Sequence, residues 1–254
     1  MTRALVLLGT VLVTLATGAG AGSAAPSALT GKVWVLTTLL GKPPLKGTVP
    51  TAEFTASGYV SGTAGCNSYG GRFTSSGQSL RLSSLVSTQM ACAPGIMTQE
   101  AAFLKALGAT RSYSVSGATL TLRSGGGRAL LTFRAQTQQL AGTSWTVTAY
   151  NNGKQGLQSV LPSPTLTAVF GKDGNLTGFA GCNDYGAPYK ASPPRLSIGP
   201  VASTKKACAT PTGVMDQEAR YLAALHTATS YRIEGSTLEL RTSSGALAAE
   251  FRRR

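Results

Sequence analysis

The chain has 254 residues, 42% of them hydrophobic and 13% charged, a composition that excludes a disordered polymer and favours a packed, β-rich chain. Twenty-three lysines and arginines against nine carboxylates set the formal net charge at +14. This excess favours anionic surfaces, polyanions or acidic proteins as partners, and it equally serves solubility. One histidine and nine carboxylates leave little material for acid–base or metal chemistry.

The chain opens on Arg3, then an apolar run over 4–16, then small residues through Ala24. This layout predicts a secretory signal peptide over residues 1–25, cleaved after Ala21 or Ala24. The run is shorter than the about 20 residues a membrane-spanning helix needs, and no later stretch is long and apolar enough. The product is expected to be exported, periplasmic or secreted, and not transmembrane after cleavage. The first cysteine is Cys66, so a lipoprotein is not expected.

The remainder contains the same domain twice. Ala64-Gly65-Cys66-Asn67-Ser68-Tyr69-Gly70 returns as Ala180-Gly181-Cys182-Asn183-Asp184-Tyr185-Gly186, and Ala91-Cys92-Ala93 returns as Ala207-Cys208-Ala209. Trp34 corresponds to Trp145, Phe54 to Phe170, and Glu100 to Glu218. The offset drifts from 111 to 118 between landmarks, which places length changes in loops. A period this long means that each copy owns a core. The predicted domains are 26–136 and 137–254.

In chain order, copy one predicts strands at 33–39, 52–56, 59–62, 71–74 and 80–85. A helix follows over 98–107, with Thr98 as N-cap, Glu100 in the first turn and a buried stripe of Ala102, Phe103, Ala106 and Leu107. Strands resume at 112–116, 119–123 and 129–134, joined by glycine turns. Copy two repeats the series, with its helix over 212–225 and Asp216 in the place of Thr98. The expected fold is α+β and β-rich: two similar domains, each a curved antiparallel sheet or small barrel with one helix. The short, glutamine-rich linker at 135–141 makes the copies close neighbours.

Four cysteines at repeated spacing in an oxidising compartment predict disulfides. Spacing alone permits three pairings; the duplication favours Cys66 with Cys92 and Cys182 with Cys208. A zinc site would call for closely spaced Cys and His clusters, whereas His226 is matched by Gly108 in copy one. The loop residues Gly65, Asn67, Tyr69 and Gly70, with Gly181, Asn183, Tyr185 and Gly186, admit two readings. They form a recognition loop with an exposed tyrosine, or a structural turn with Asn in an Asx-turn and Tyr packed beside the disulfide. The structural reading is the preferred one. Trp34 and Trp145 are expected as core plugs with satisfied N–H groups. Glu100 and Glu218 are assigned to the helix dipole and solvent. No catalytic constellation, phosphate cradle or cofactor motif is found, so no enzyme and no cofactor are expected. Lys205, Lys206, Arg252, Arg253 and Arg254 are the candidate anion contacts.

The order Gly-x-x-Trp, Phe, Gly-Cys-Asn-x-Tyr-Gly, Thr-x-x-Ala-Cys, Glu-x-x-Phe/Tyr-x-x-x-Leu and Leu-x-Leu resembles the META domain of the HslJ-like heat-shock protein family. Both copies carry it: Gly31 to Trp34 and Gly142 to Trp145; Thr88 to Cys92 and Thr204 to Cys208. The resemblance implies an envelope-associated β-rich domain linked to stress or antibiotic tolerance, without established enzymatic activity. The expected function is a non-catalytic binding or structural module. Its rivals are an inhibitor of an envelope or foreign hydrolase, and an electrostatic binder of anionic polymers or surfaces without specific nucleic-acid recognition.

Overall fold

The computed structural model describes residues 28–154 and 156–254. The predicted signal peptide and its cleavage sites lie outside the described residues.

Copy one consists of β1 (Val33–Leu39), β2 (Thr51–Phe54), β3 (Tyr59–Thr63), β4 (Ser68–Ser76) and β5 (Ser79–Ser87). These are followed by α1 (Pro94–Gly108), β6 (Ser112–Ser116), β7 (Thr119–Arg123) and β8 (Ala129–Ala135). Each strand pairs antiparallel with the next, and β8 returns to β1, closing an eight-stranded barrel. Alternation sends Leu80 and Leu82, and Leu120 and Leu122, inward while their neighbours face out. The ring is thinnest between β5 and β6, which meet at the single pair Ser79 and Ser112. The helix covers this stretch of the chain's path and inserts Phe103, edge-on to Tyr69 and Phe133. Trp34, Phe54, Phe103 and Phe133 are fully buried in one core.

Copy two consists of β9 (Thr143–Asn151), β10 (Leu157–Ser159), β11 (Thr167–Phe170), β12 (Asn175–Phe179) and β13 (Asp184–Ser192). Then come β14 (Arg195–Ile198), β15 (Ala202–Ser203), α2 (Val214–His226), β16 (Ser230–Glu234), β17 (Thr237–Arg241) and β18 (Leu247–Arg253). Its sheet runs β9-β11-β12-β13-β14-β16-β17-β18, and β18 pairs back onto β9; β10 extends β9, and β15 pairs with β13. Its core is separate, around Trp145, Phe170, Tyr221 and Phe251. Two similar β-rich domains, each with one helix, are what the repeat predicts.

Both helix starts differ from expectation. α1 begins at Pro94, four residues before the predicted Thr98 cap, because proline suits the first helical turn, where a missing N–H costs nothing. Thr98 lies inside the helix and donates its hydroxyl to the Pro94 carbonyl at 3.0 Å. Glu100 is therefore not a first-turn residue. α2 starts at Val214 behind Gly213, whose φ of 86° ends the preceding loop, and Asp216 does lie in its first turn.

Candidate functional site

Each Gly-Cys-Asn-x-Tyr segment is the hub of its barrel. The Glu100 carboxylate accepts the backbone N–H groups of Cys66 (3.2 Å) and Asn67 (2.7 Å) and the Asn67 side-chain amide (2.8 Å). Asn67 Oδ1 in turn accepts the Met90 N–H (2.7 Å) and the Thr88 hydroxyl (2.8 Å), while Nδ2 also donates to the Met90 carbonyl. Copy two repeats the network through Glu218, Asn183, Lys206 and Thr204 at the same distances to within about 0.2 Å. Burying a carboxylate is tolerable only when its lone pairs are filled. Here three donors fill them in each copy.

This corrects two expectations. Glu100 and Glu218 are 5% exposed, not solvated, and serve the loop rather than the helix dipole. Asn67 and Asn183 make long-range bonds across the segment rather than a local Asx-turn. The recognition-loop reading fails for the tyrosines: Tyr69 and Tyr185 are each 4% exposed and donate to the Thr51 and Thr167 carbonyls at 2.9 Å. Burial raises both phenol pKa values; for Tyr69 the Glu234 charge adds to the rise, and for Tyr185 a hydrogen bond from Tyr221 opposes it. Gly65 and Gly181 take φ of 124° and 117°, the conformations that favour glycine. A Cβ at Gly70 would lie 2.1 Å from the Tyr59 hydroxyl, the tip of an exposed side chain that would have to turn aside.

Both disulfides form within their copies, Cys66–Cys92 and Cys182–Cys208. Trp34 and Trp145 are core plugs, donating to the Leu29 carbonyl (2.9 Å) and the Thr143 hydroxyl (2.7 Å). The hubs are not identical in every member. Gln99 gives its amide to Thr48 (2.9 Å), whereas Pro164 stands in the corresponding place of copy two and Gln217 Nε2 is buried without a partner among the described residues.

The copies are joined by a contact that self-comparison could not reveal. The β16–β17 hairpin of copy two docks on β2 of copy one. Arg232 pairs with Glu53 and with Glu234 (2.6 Å), and Thr51 donates its hydroxyl to Glu234 (2.6 Å). Burial disfavours a charged Arg232, but the Glu234 and Glu53 carboxylates outweigh it and raise its pKa. The linker completes the joint. Gln138 and Gln136 each donate to and accept from the backbone of Ile233 and Gly235, all at 2.8 Å, and the Tyr231 hydroxyl donates to the Gln138 carbonyl at 2.6 Å.

Beside this joint lies a cleft of about 580 Å³, with walls from both copies. Copy one contributes Ser61, Thr63, Cys66 and Ser68; copy two contributes Glu239, Glu250 and Arg252. Glu250 accepts the Thr148 hydroxyl (2.8 Å), and Glu239 pairs with Arg241 (2.8 Å). The candidate anion contacts are divided among different elements. Arg252 is on the cleft, Arg253 lies over the Trp145 ring at 4.5 Å, and Lys206 sits beside the Asn183 loop, 3.9 Å from Asp184. Lys205 and Arg254 are exposed. Among the described residues no group of three or more His, Cys, Asp or Glu could hold a metal, and no helix is long and apolar enough to cross a membrane.

Fold and site together define a tandem of disulfide-stapled β-barrels, docked through an ionic joint. The chain belongs to the META domain family, whose model matches residues 27–137 and again residues 138–254. Among solved structures it is similar to a Burkholderia xenovorans protein determined by NMR, at 27% identity and a TM-score of 0.38, covering 45% of this chain and 83% of that one. A second NMR structure matches at 25% identity and a TM-score of 0.37, covering 43% and 93%. A DUF4847 family protein from Bacteroides vulgatus matches at 17% and 0.33, covering 44% and 93%. No curated protein matches the chain.

Proposed function

We propose that this META tandem is an exported, non-catalytic binding module of the cell envelope or its surroundings, acting in stress tolerance, and that its ligand site is the cleft between the copies. The observation that carries the reading is the cleft itself: about 580 Å³, polar on both walls, present only because the two barrels dock. The hubs support it by fixing the Cys66 loop, one wall of the cleft, from beneath. Their buried carboxylates are engaged in that task by three donors each. Two formed disulfides accord with an oxidising, extracytoplasmic compartment.

The test is a pull-down from envelope and culture-supernatant extracts with oxidised protein, at low and high salt. It is run beside Ser68→Trp, which fills the cleft from an exposed position. A component retained by the native protein at high salt and lost from Ser68→Trp supports the reading. Equal capture by both removes the cleft from the function. Stoichiometric capture of a hydrolase, with loss of its activity, would replace the binding-module reading by the inhibitor reading.

A further inference from the structure

The two copies share a fold but not a surface. Between residues 28 and 137 the only carboxylates are Glu53 and Glu100, against ten lysines and arginines. Glu100 is buried under the Cys66 loop, and Glu53, partly exposed, is paired to Arg232. Copy one therefore presents its cations against a single partly exposed carboxylate that is already neutralised. Among the described residues it also holds six of the eight exposed large hydrophobic residues: Leu40, Leu45, Tyr59, Val86, Met90 and Met97. At four of these positions copy two carries Asn151, Asn175, Ala202 and Lys206 instead of Leu40, Tyr59, Val86 and Met90.

Cation and apolar side chain are interleaved most closely in the β1–β2 loop, Leu40-Gly41-Lys42-Pro43-Pro44-Leu45-Lys46. Leu39 and Lys42 exchange backbone hydrogen bonds of 2.7 and 3.0 Å around a two-residue turn. Leu40 opens that turn at φ 51°, a left-handed conformation unfavourable to leucine, with its side chain 49% exposed. Asparagine before glycine is the usual sequence of such a turn. A leucine there is strained and turned toward water, which no requirement of the barrel explains. Leu45, 45% exposed, follows on the same loop and lies against the start of α1 at Gly95.

We propose that copy one seats on an anionic lipid bilayer through this loop, with Leu40 and Leu45 entering the interface and Lys42 and Lys46 at the headgroups. Apolar burial combined with basic residues is the pairing that holds a protein on such a surface. A soluble polyanion would use the lysines but give the leucines nothing to enter. The site is independent of the cleft.

The test is sedimentation of the full oxidised protein with vesicles of phosphatidylcholine alone or with about one-third phosphatidylglycerol, the fraction in which charge attraction acts. Binding is expected only to the anionic vesicles. Leu40→Asn relieves the turn, so it folds at least as well as the native chain; its binding is expected to weaken about tenfold through the lost apolar contact. Lys42→Gln with Lys46→Gln is expected to weaken binding about twentyfold, from the per-charge attraction at an anionic leaflet. Lys154→Gln with Leu157→Ser in copy two is expected to change nothing. The proposal is overturned if the native protein ignores anionic vesicles, or if Leu40→Asn binds unchanged. Binding of inorganic polyphosphate that needs the lysines but not Leu40, without vesicle binding, overturns it in favour of a soluble polyanion.

Discussion

Glu100 and Asn67 are joined twice across 33 positions of chain, through the Asn67 backbone N–H at 2.7 Å and its side-chain amide at 2.8 Å. The helix thereby holds the disulfide loop by a buried carboxylate. Replacing Glu100 by Ala strands these donors and that of Cys66 away from water. The expected loss is about 4 kcal/mol of copy-one stability, since each unsatisfied buried donor costs roughly 1–3 kcal/mol. Glu100→Gln keeps the shape but turns an NH2 toward a donor, and about half that loss is expected. Urea titration should show one transition moving and the copy-two transition unmoved; a single shifted transition would mean that the two cores do not unfold separately.

The two disulfides differ in access. Cys92 is exposed and Cys66 half-buried, whereas Cys182 is 3% exposed. Mild dithiol treatment followed by alkylation and mass mapping is expected to label Cys66 and Cys92 before Cys182 and Cys208. Each bond closes a loop of 26 residues. Opening one is expected to cost about 3.5 kcal/mol by chain entropy.

Arg232 is the pivot of the docking, and Arg232→Ala leaves Glu53 and Glu234 facing each other without a cation. After allowance for solvent screening of these partly exposed groups, about 1–2 kcal/mol of docking energy is expected to be lost. Proteolytic cleavage within the linker at 135–141 should become faster while both barrels stay intact. A double-mutant cycle with Glu53→Gln should return a coupling of about 1 kcal/mol; independence of the two changes would reject the ionic joint.

Stability should be lost in alkali. Burial raises the pKa values of Tyr69, Tyr185 and Tyr221 in the folded chain above their ordinary 10.0. The native state then holds protons that the unfolded chain releases, so this stability is fully present below pH 10 and declines as pH climbs toward the folded values. The urea midpoint is expected to be insensitive to these groups up to about pH 9.5 and to fall above it. Phenolate absorbance from the buried rings should appear together with unfolding, not before it.

Strand positions were legible at 112–116 and 119–123, and also at 33–39, where a bulge interrupts the alternation; all three are predicted and observed alike. The α1 start was not, because Pro94-Gly95 carries no side-chain cap and the helix begins on a proline. Glu100 and Glu218 were visible as a matched pair, but a carboxylate's partner 33 to 36 residues away leaves no periodic trace. The joint was hidden for the opposite reason. Arg232 faces Ser114 in the alignment of the copies, Glu234 faces Ser116 and Glu53 faces Val169. Searching for sameness discards these positions, and their differences were the available signal.

That same asymmetry means that the ionic contact occurs in one direction only. A hairpin of one barrel resting on the flank of another is a head-to-tail contact, and such contacts extend without end unless the rotation closes on itself. Here the flank of copy two carries Val169 instead of an acid, and the hairpin of copy one carries Ser114 and Ser116 instead of the ion pair. The ionic contact is made once, inside the chain, and the faces left over lack the charges to repeat it.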